Sequence, residues 1–369
     1  MNKENVELQQ LDKFEKDLIS FLNKENNERI AYNLSNDIVP ININRWLSTG
    51  SKYLDYAISN KKGGGIPEGR ITEIFGSPAI GKSHIALQIA KSAQSMGGIC
   101  IYIDTENATS VENLKVLGIN VKNRFVFIET SCTEEVFKAI ESTILRTKEI
   151  SKNVPVVIIW DSVAASSPKA ELLADYDKDS IGLQARAMSK GLRKITKLIA
   201  DSSVTLCCLN QTRTKIGEYY GDNVVTPGGQ ALPFHSSVRI HLMGGSKIKN
   251  DNGEIIALKV IAKILKNKVA FPHRKAEFEI HFGKGIYEHE QIFDLLKNYD
   301  KPIDQSKSFS IKASEGGAWK TIEVINSTTG EVILEKKFRK NEYIEAMSDP
   351  ILKEYIDNFL EDVLVKKIQ

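Results

Sequence analysis

The sequence predicts an α/β protein built on a mainly parallel sheet with helices on both faces. Three observations carry this. From Gly63 onward, short β-rich runs alternate with helical stretches. The run 154–160 is almost entirely apolar, as a parallel strand covered on both faces must be. A glycine-containing turn, Gly76 to Ser83, stands between one such strand and the helix after it. This alternation gives a doubly wound sheet with ligand sites at the carboxyl ends of its strands.

In chain order, residues 4–27 set Leu11, Phe14, Leu18, Phe21 and Leu22 at helical spacing, predicting an amphipathic N-terminal helix. A mixed segment, 29–60, follows. Strands are expected at 71–75, 99–103, 125–128, 154–160 and 204–209. Helices are expected at 82–96, 133–149 and 184–200. After Val238 the alternation stops. The runs 238–243, 255–265 and 276–282 read as successive strands, an antiparallel extension of the sheet. From about Tyr287 a smaller α+β piece begins, with a strand at 321–325 and a helical tail. The expected domains are an N-terminal helix and arm (1–40), a core (41–286) and a C-terminal domain (287–369). We find no internal repeat or low-complexity tract.

With 369 residues and 41% hydrophobic content, the chain can bury a sizeable core. Its net charge of +3 gives no global positive field, so any nucleic-acid contact must come from local clusters. No run is apolar and long enough to span a bilayer, and the polar start Met1-Asn2-Lys3-Glu4-Asn5 has no signal-peptide pattern. Cys100, Cys132, Cys207 and Cys208 form neither a C-x-x-C pair nor zinc spacing. Reduced, buried thiols and a cytoplasmic location are expected.

Gly76-Ser77-Pro78-Ala79-Ile80-Gly81-Lys82-Ser83 matches the phosphate-loop pattern G-x-x-x-x-G-K-[ST] in full, in its required strand–helix context. Backbone N–H groups and the helix N-terminus would cradle phosphates. Lys82 would reach the β- and γ-phosphates and the Ser83 hydroxyl would bind Mg²⁺. Val156-Val157-Ile158-Ile159-Trp160-Asp161 ends an apolar strand in a carboxylate, the second hallmark of such sites, which puts Asp161 by the metal. Ile101-Tyr102-Ile103-Asp104-Thr105-Glu106 ends a neighbouring strand in two acids. Either could polarise the attacking water, and sheet position does not choose between them.

Eight blocks, in order, resemble bacterial RecA recombinases. They are Gly64-Gly65-Ile66-Pro67-Glu68-Gly69-Arg70-Ile71-Thr72-Glu73-Ile74-Phe75-Gly76, Ile103-Asp104-Thr105-Glu106-Asn107-Ala108, and Asp161-Ser162-Val163-Ala164-Ala165. Pro168-Lys169-Ala170-Glu171, Gly182-Leu183-Gln184-Ala185-Arg186 and Asn210-Gln211-Thr212-Arg213-Thr214-Lys215-Ile216-Gly217 follow, then Gly228-Gly229-Gln230-Ala231-Leu232 and Lys266-Asn267-Lys268. The resemblance is strong over residues 61–290 and weak elsewhere.

It implies a P-loop NTPase core of RecA type. ATP and Mg²⁺ would lie between the subunits of a helical homo-oligomer formed on single-stranded DNA, which pairs with double-stranded DNA, with residues 1–40 as polymerisation arm. Glu106 matches the glutamate that activates water, and Asp161 the Mg²⁺-associated aspartate. Gln211 matches the glutamine that senses the γ-phosphate. Lys266 and Lys268 match lysines that reach a neighbour's ATP; without the resemblance they would read as a solvated hairpin tip. Arg193 matches a DNA-binding helix position, and 174–181 and 212–229 take the places of two mobile DNA-binding loops. The second loop suits that role by its own chemistry. Arg213 and Lys215 can meet phosphates, Tyr219 and Tyr220 can stack on bases, and Gly228 and Gly229 add mobility. The first loop, Ala174-Asp175-Tyr176-Asp177-Lys178-Asp179, is acidic.

Three departures mark a divergent member, with a bacterial or phage source left open. Asn113 stands where the family stacks an aromatic ring on adenine. The tail Leu364-Val365-Lys366-Lys367-Ile368-Gln369 has no acidic run. Trp160 directly precedes the metal aspartate. Two rivals share the core: a ring-type DNA helicase, and a regulatory RecA paralogue without catalysis. Lysines rather than an arginine finger disfavour the first, and the full set Lys82, Glu106, Asp161 and Gln211 disfavours the second.

Overall fold

The computed structural model describes residues 3–26, 29–35, 42–147, 149, 154–175, 182–214, 224–299 and 308–366. It divides into two compact units, Met1–Asn44 and Arg45–Gln369. The first holds α1 (Lys3–Glu25), slightly shifted from the expected span, on which Leu11, Phe14, Leu18 and Phe21 are all exposed.

The second unit opens with β1 (Trp46–Leu47), α2 (Lys52–Ser59) and β2 (Ile66–Pro67). The alternating core follows: β3 (Ile71–Gly76), α3 (Lys82–Ser95), β4 (Ile99–Asp104), α4 (Val111–Val116), β5 (Phe125–Glu129), α5 (Thr133–Thr147), β6 (Val156–Asp161), α6 (Lys169–Leu172), α7 (Leu183–Ser202) and β7 (Val204–Gln211). A short ribbon, β8 (Arg213–Thr214) against β9 (Val224–Val225), leads to α8 (Ala231–His235). Then come β10 (Val238–Lys249), β11 (Ile255–Asn267), β12 (Lys275–His281) and β13 (Gly285–Tyr287). These strands form one nine-stranded sheet in the order β13-β12-β11-β10-β3-β7-β6-β4-β5. It is parallel from β10 to β5 and antiparallel across β11, β12 and β13, so the expected fold class and its antiparallel extension hold.

Two-residue periodicity within the strands builds a core on each face. Cys100, Tyr102, Val157 and Ile159 join Ile85, Ile89 and Ala93 of α3 on one side. Ile101, Ile103, Ile158 and Trp160 face the other way and join Val136 and Ile140 of α5 and Met188, Leu192, Ile195 and Ile199 of α7. The α7 residues recur every three or four positions, one stripe of a helix. Trp160 is 0% exposed and meets Phe137 edge-on at 5.4 Å, so this departure is a core residue. All four cysteines are free and buried.

The C-terminal piece comprises α9 (His289–Asn298), an antiparallel sheet of β14 (Phe309–Gly316), β15 (Trp319–Asn326) and β16 (Val332–Arg339), then α10 (Tyr343–Met347) and α11 (Pro350–Leu364). Its core of Phe293, Ile322, Val324, Phe338, Tyr343 and Phe359 is separate from the two cores of the large sheet. The start of α11 is fixed locally: Asp349 accepts from the backbone N–H groups of Ile351 and Leu352, and Pro350 takes the first turn.

Candidate active site

The phosphate loop leaves β3 at Gly76, in the middle of the sheet. A Cβ on Gly76 would lie 2.4 Å from the Leu242 carbonyl oxygen of β10, so only glycine lets the two strands approach there. Gly81 caps α3 at φ 96°, a conformation that disfavours side chains. The Lys82 ammonium donates to the carbonyls of Gly76 (3.0 Å) and Ser77 (2.8 Å), which holds it over the loop. Burial lowers its pKa, against the opposing pull of Asp161 and Glu106. A cavity of about 320 Å³ borders Lys82, Ser83, Glu106, Asp161 and Gln211.

Parallel pairing aligns Asp104 with Asp161 across β4 and β6. The Asp161 carboxylate accepts from Ser83 Oγ at 2.7 Å and from Tyr102 OH at 2.6 Å. Burial raises its pKa; the two hydroxyl donors pull it down, and Glu106 and Asp104 push it up. A ligand set of one hydroxyl and one carboxylate suits a hard cation that keeps waters and phosphate oxygens as its other ligands, so these residues fit Mg²⁺.

The two acids after β4 differ in their contacts. Asp104 is buried, and its oxygens accept from the backbone N–H groups of Glu106 (2.9 Å), Asn107 (2.8 Å) and Thr109 (3.0 Å). Glu106 is exposed; its Oε1 accepts from Ser162 Oγ and, at 3.4 Å, from Gln211 Nε2. Lys82, Ser83, Glu106, Asp161 and Gln211 thus converge on one spot. Asn113 is exposed on α4 and lines an adjoining cavity of about 330 Å³ with Ser83, His84, Ser110 and Gly283.

Lys266 and Lys268 lie elsewhere. In the sheet register Lys266 pairs with Arg239 and Arg239 with Glu73, whereas Leu242 pairs with Gly76. Lys266 is therefore three residues short of the loop's row, and Lys268 lies beyond the strand end. At roughly 3.3 Å per residue, both sit about 10 Å or more from the phosphate loop of their own chain. Lys266 Nζ donates to the carbonyls of Pro233 and Phe234, both at 2.7 Å. Burial lowers its pKa most, with Lys268 and Arg239 adding to the shift and Glu73 opposing it.

Of the expected DNA contacts, Arg193 is exposed on α7, with its Nε donating to the Ser189 carbonyl. Arg213 is exposed on β8. Gly228 and Gly229 have φ of 89° and 73°, and Gly229 comes so close to α7 that a Cβ would lie 2.9 Å from Ala185 Cβ. The second loop is thus closed at its base by an ordered ribbon and a tight return, where sequence suggested only a mobile segment. Lys215, Tyr219 and Tyr220 lie outside the described residues, as does 176–181 of the first loop. Sequence reasoning missed Tyr102, Ser162 and the turn role of Asp104. A hydroxyl within the otherwise aliphatic run before Asp104 was the available signal for Tyr102.

A phosphate loop at the carboxyl end of a parallel strand, beside a hydroxyl–aspartate pair, defines a nucleotide-binding α/β protein of the phosphate-loop class. The family profile described as RecA N-terminal domain matches residues 19–287. Protein RecA of Sulfurimonas denitrificans is 41% identical over 271 residues, 73% of this chain and 74% of its own. Protein RecA of Helicobacter hepaticus is 44% identical over 249 residues, covering 67% and 69%. The mitochondrial DNA repair protein recA homolog of Dictyostelium discoideum is 36% identical over 320 residues, 87% of this chain and 64% of that protein. The chain belongs to the RecA family. It is a RecA-type recombination and repair protein and a nucleotide-binding, DNA-dependent ATPase. Among the described residues no helix is long and apolar enough to cross a membrane.

Proposed function

We propose that this chain assembles head to tail on single-stranded DNA, binds ATP with Mg²⁺ between subunits, and drives homologous pairing and strand exchange in the cytoplasm. The observation that carries this is the split of the site. Lys82, Ser83, Glu106, Asp161 and Gln211 meet at one end of the sheet, while Lys266 and Lys268 stand at the other. Two such ends from neighbouring chains complement each other in a head-to-tail contact.

In this reading the loop from Gly76 through Ser77, Pro78, Ala79, Ile80 and Gly81 wraps the phosphates. Lys82 moves from the loop carbonyls onto the γ-phosphate. Ser83 and Asp161 hold Mg²⁺, which when bound neutralises phosphate oxygens. Glu106 takes a proton from the attacking water, and Ser162 and Gln211 hold the Glu106 carboxylate in place. Lys266 and Lys268 of a neighbour stabilise charge on the leaving phosphate, as trans-acting cations do elsewhere. Arg193, Arg213, Lys215, Tyr219, Tyr220, Gly228 and Gly229 contact the DNA, mainly its backbone, and base pairing supplies specificity. Residues 1–40 act as polymerisation arm, 41–286 as ATPase and DNA-binding core, and 287–369 as C-terminal domain.

Joint-molecule formation between homologous single- and double-stranded DNA tests the proposal, with electron microscopy of the DNA-bound protein. ATP-dependent strand exchange by filaments is expected, with loss of both in Lys82→Ala. Unwinding without a homologous strand would favour a helicase, and strand exchange by Lys82→Ala would remove the nucleotide assignment.

A further inference from the structure

A line of polar contacts, buried at Glu73 and Asn210, crosses the sheet beneath the site. Glu73, on β3, is 0% exposed. Its Oε2 accepts from Arg239 Nε at 2.6 Å, and its Oε1 from Asn210 Nδ2 at 3.1 Å. Asn210 Nδ2 also donates to the Pro227 carbonyl at 3.1 Å, where the chain returns from the second loop. Asn210 Oδ1 accepts from the backbone N–H of Gln211 at 3.0 Å, and Gln211 reaches Glu106. At the other end Arg239 pairs in register with Lys266 and lies 4.8 Å over the Phe75 ring. The line therefore begins beside the lysine pair and ends at both the catalytic glutamate and the root of the DNA loop.

Stability alone gives little reason to bury such a pair. Desolvating a carboxylate and a guanidinium offsets most of their attraction, and well-packed apolar residues often hold a fold as firmly. Position gives a better reason. Asn210 has two amide hydrogens, one spent on Glu73 and one on the loop return, so it ties the two together. In a low-dielectric interior a displacement at Arg239 is felt along the whole line.

We propose that Glu73, Arg239 and Asn210 are positioning residues that couple the Lys266–Lys268 end of the sheet to Gln211, Glu106 and the DNA loop. They make DNA binding and ATP turnover depend on each other. This inference rests on the reading of Glu106 and Gln211 given above.

The test is ATP turnover by the full chain with and without single-stranded DNA, alongside DNA affinity with and without a slowly hydrolysed ATP analogue. Glu73→Gln keeps the shape but puts an amide donor against groups that already donate. Its DNA-free turnover is expected to stay within about twofold of wild type. Its stimulation by DNA, and the tightening of DNA binding by the analogue, are each expected to fall about tenfold, within the usual range of coupling between sites. Arg239→Lys, which keeps the charge but loses the guanidinium geometry, should show a smaller fall in both relative to wild type, and it carries the test if Glu73→Gln does not fold. Unchanged stimulation overturns the proposal. So does a parallel fall of DNA-free and DNA-stimulated turnover with lowered thermal stability, which marks a merely structural pair. Glu106→Gln in the same assay separates the two ideas. Normal turnover there defeats the reading of the site, whereas its loss beside fully stimulated Glu73→Gln defeats the coupling alone.

Discussion

Asp104 and Glu106 stand two residues apart, and their surroundings divide the work between them. Three backbone N–H groups engage Asp104, which fixes the turn that carries Glu106 into the cavity. Glu106→Gln should therefore bind ATP and DNA normally yet lose about 10²-fold or more in turnover, since the amide cannot take the proton. Nucleotide titration beside a phosphate-release assay checks this, and lost ATP binding would make Glu106 structural. Asn113 lines the adjoining cavity but has no ring. Stacking on a base contributes ~1–3 kcal/mol where it has been probed on nucleic acids. Asn113→Tyr should tighten ATP binding by about twofold to tenfold if half of that is recovered. Equal affinities for ATP and GTP in both proteins would show that position 113 does not touch the base. Lys82, Ser83 and Asp161 were legible because each is fixed by a local motif. Tyr102 and Ser162 were not: their partners, Asp161 on β6 and Glu106 just after β4, are distant in sequence, and only the lateral order of β4 and β6 brings them in.

Among the elements, the long apolar strands were readable from their composition, and α3, α5 and α7 from their spacing. The sheet order was not, because pairing is a non-local choice that periodicity leaves open. The β10–β11 hairpin runs further than its apolar runs suggested, since backbone pairing continues through its polar end as far as Lys249 and Ile255. The start of α2 holds another feature that sequence concealed. Asp55 accepts from Ser48 Oγ, Thr49 N and Thr49 Oγ1, near the buried Glu288, which accepts from Ser51 Oγ. Burial raises the Asp55 pKa from 3.8 to about 7, against the hydrogen bonds that lower it. The folded state thus holds this proton more tightly than the unfolded chain does. Its stabilising effect is full below pH 3.8 and is lost as pH rises through about 7. Glu288, also raised mainly by burial, acts with the same sign. The thermal midpoint should decrease as pH rises from roughly 4 to 7, and Asp55→Asn should remove part of that slope. Calorimetry of the two proteins across this range checks it, and identical slopes would show that Asp55 does not titrate there.

For the whole molecule, the separation of the lysines from the loop matters most. Lys268→Ala should lower DNA-dependent hydrolysis while leaving ATP binding to an isolated chain unchanged. Mixed with Glu106→Gln in equal amounts, it should regain activity at about a quarter of head-to-tail interfaces, those where one chain supplies Glu106 and the next supplies Lys268. Turnover of the mixture against each variant alone measures this. A mixture no more active than its parts would place the lysines outside the reaction.

The proposed head-to-tail contact also implies a count. If the lysines of one chain serve the nucleotide of the next, as proposed, a row of n chains would have n − 1 complete junctions, and a lone chain would have none. Hydrolysis per chain then scales as 1 − 1/n, rising steeply over the first few additions and flat thereafter. One terminal chain always holds a nucleotide that no neighbour completes. That terminus would keep its triphosphate longest, so such a row would age from within and carry a direction that its DNA need not supply.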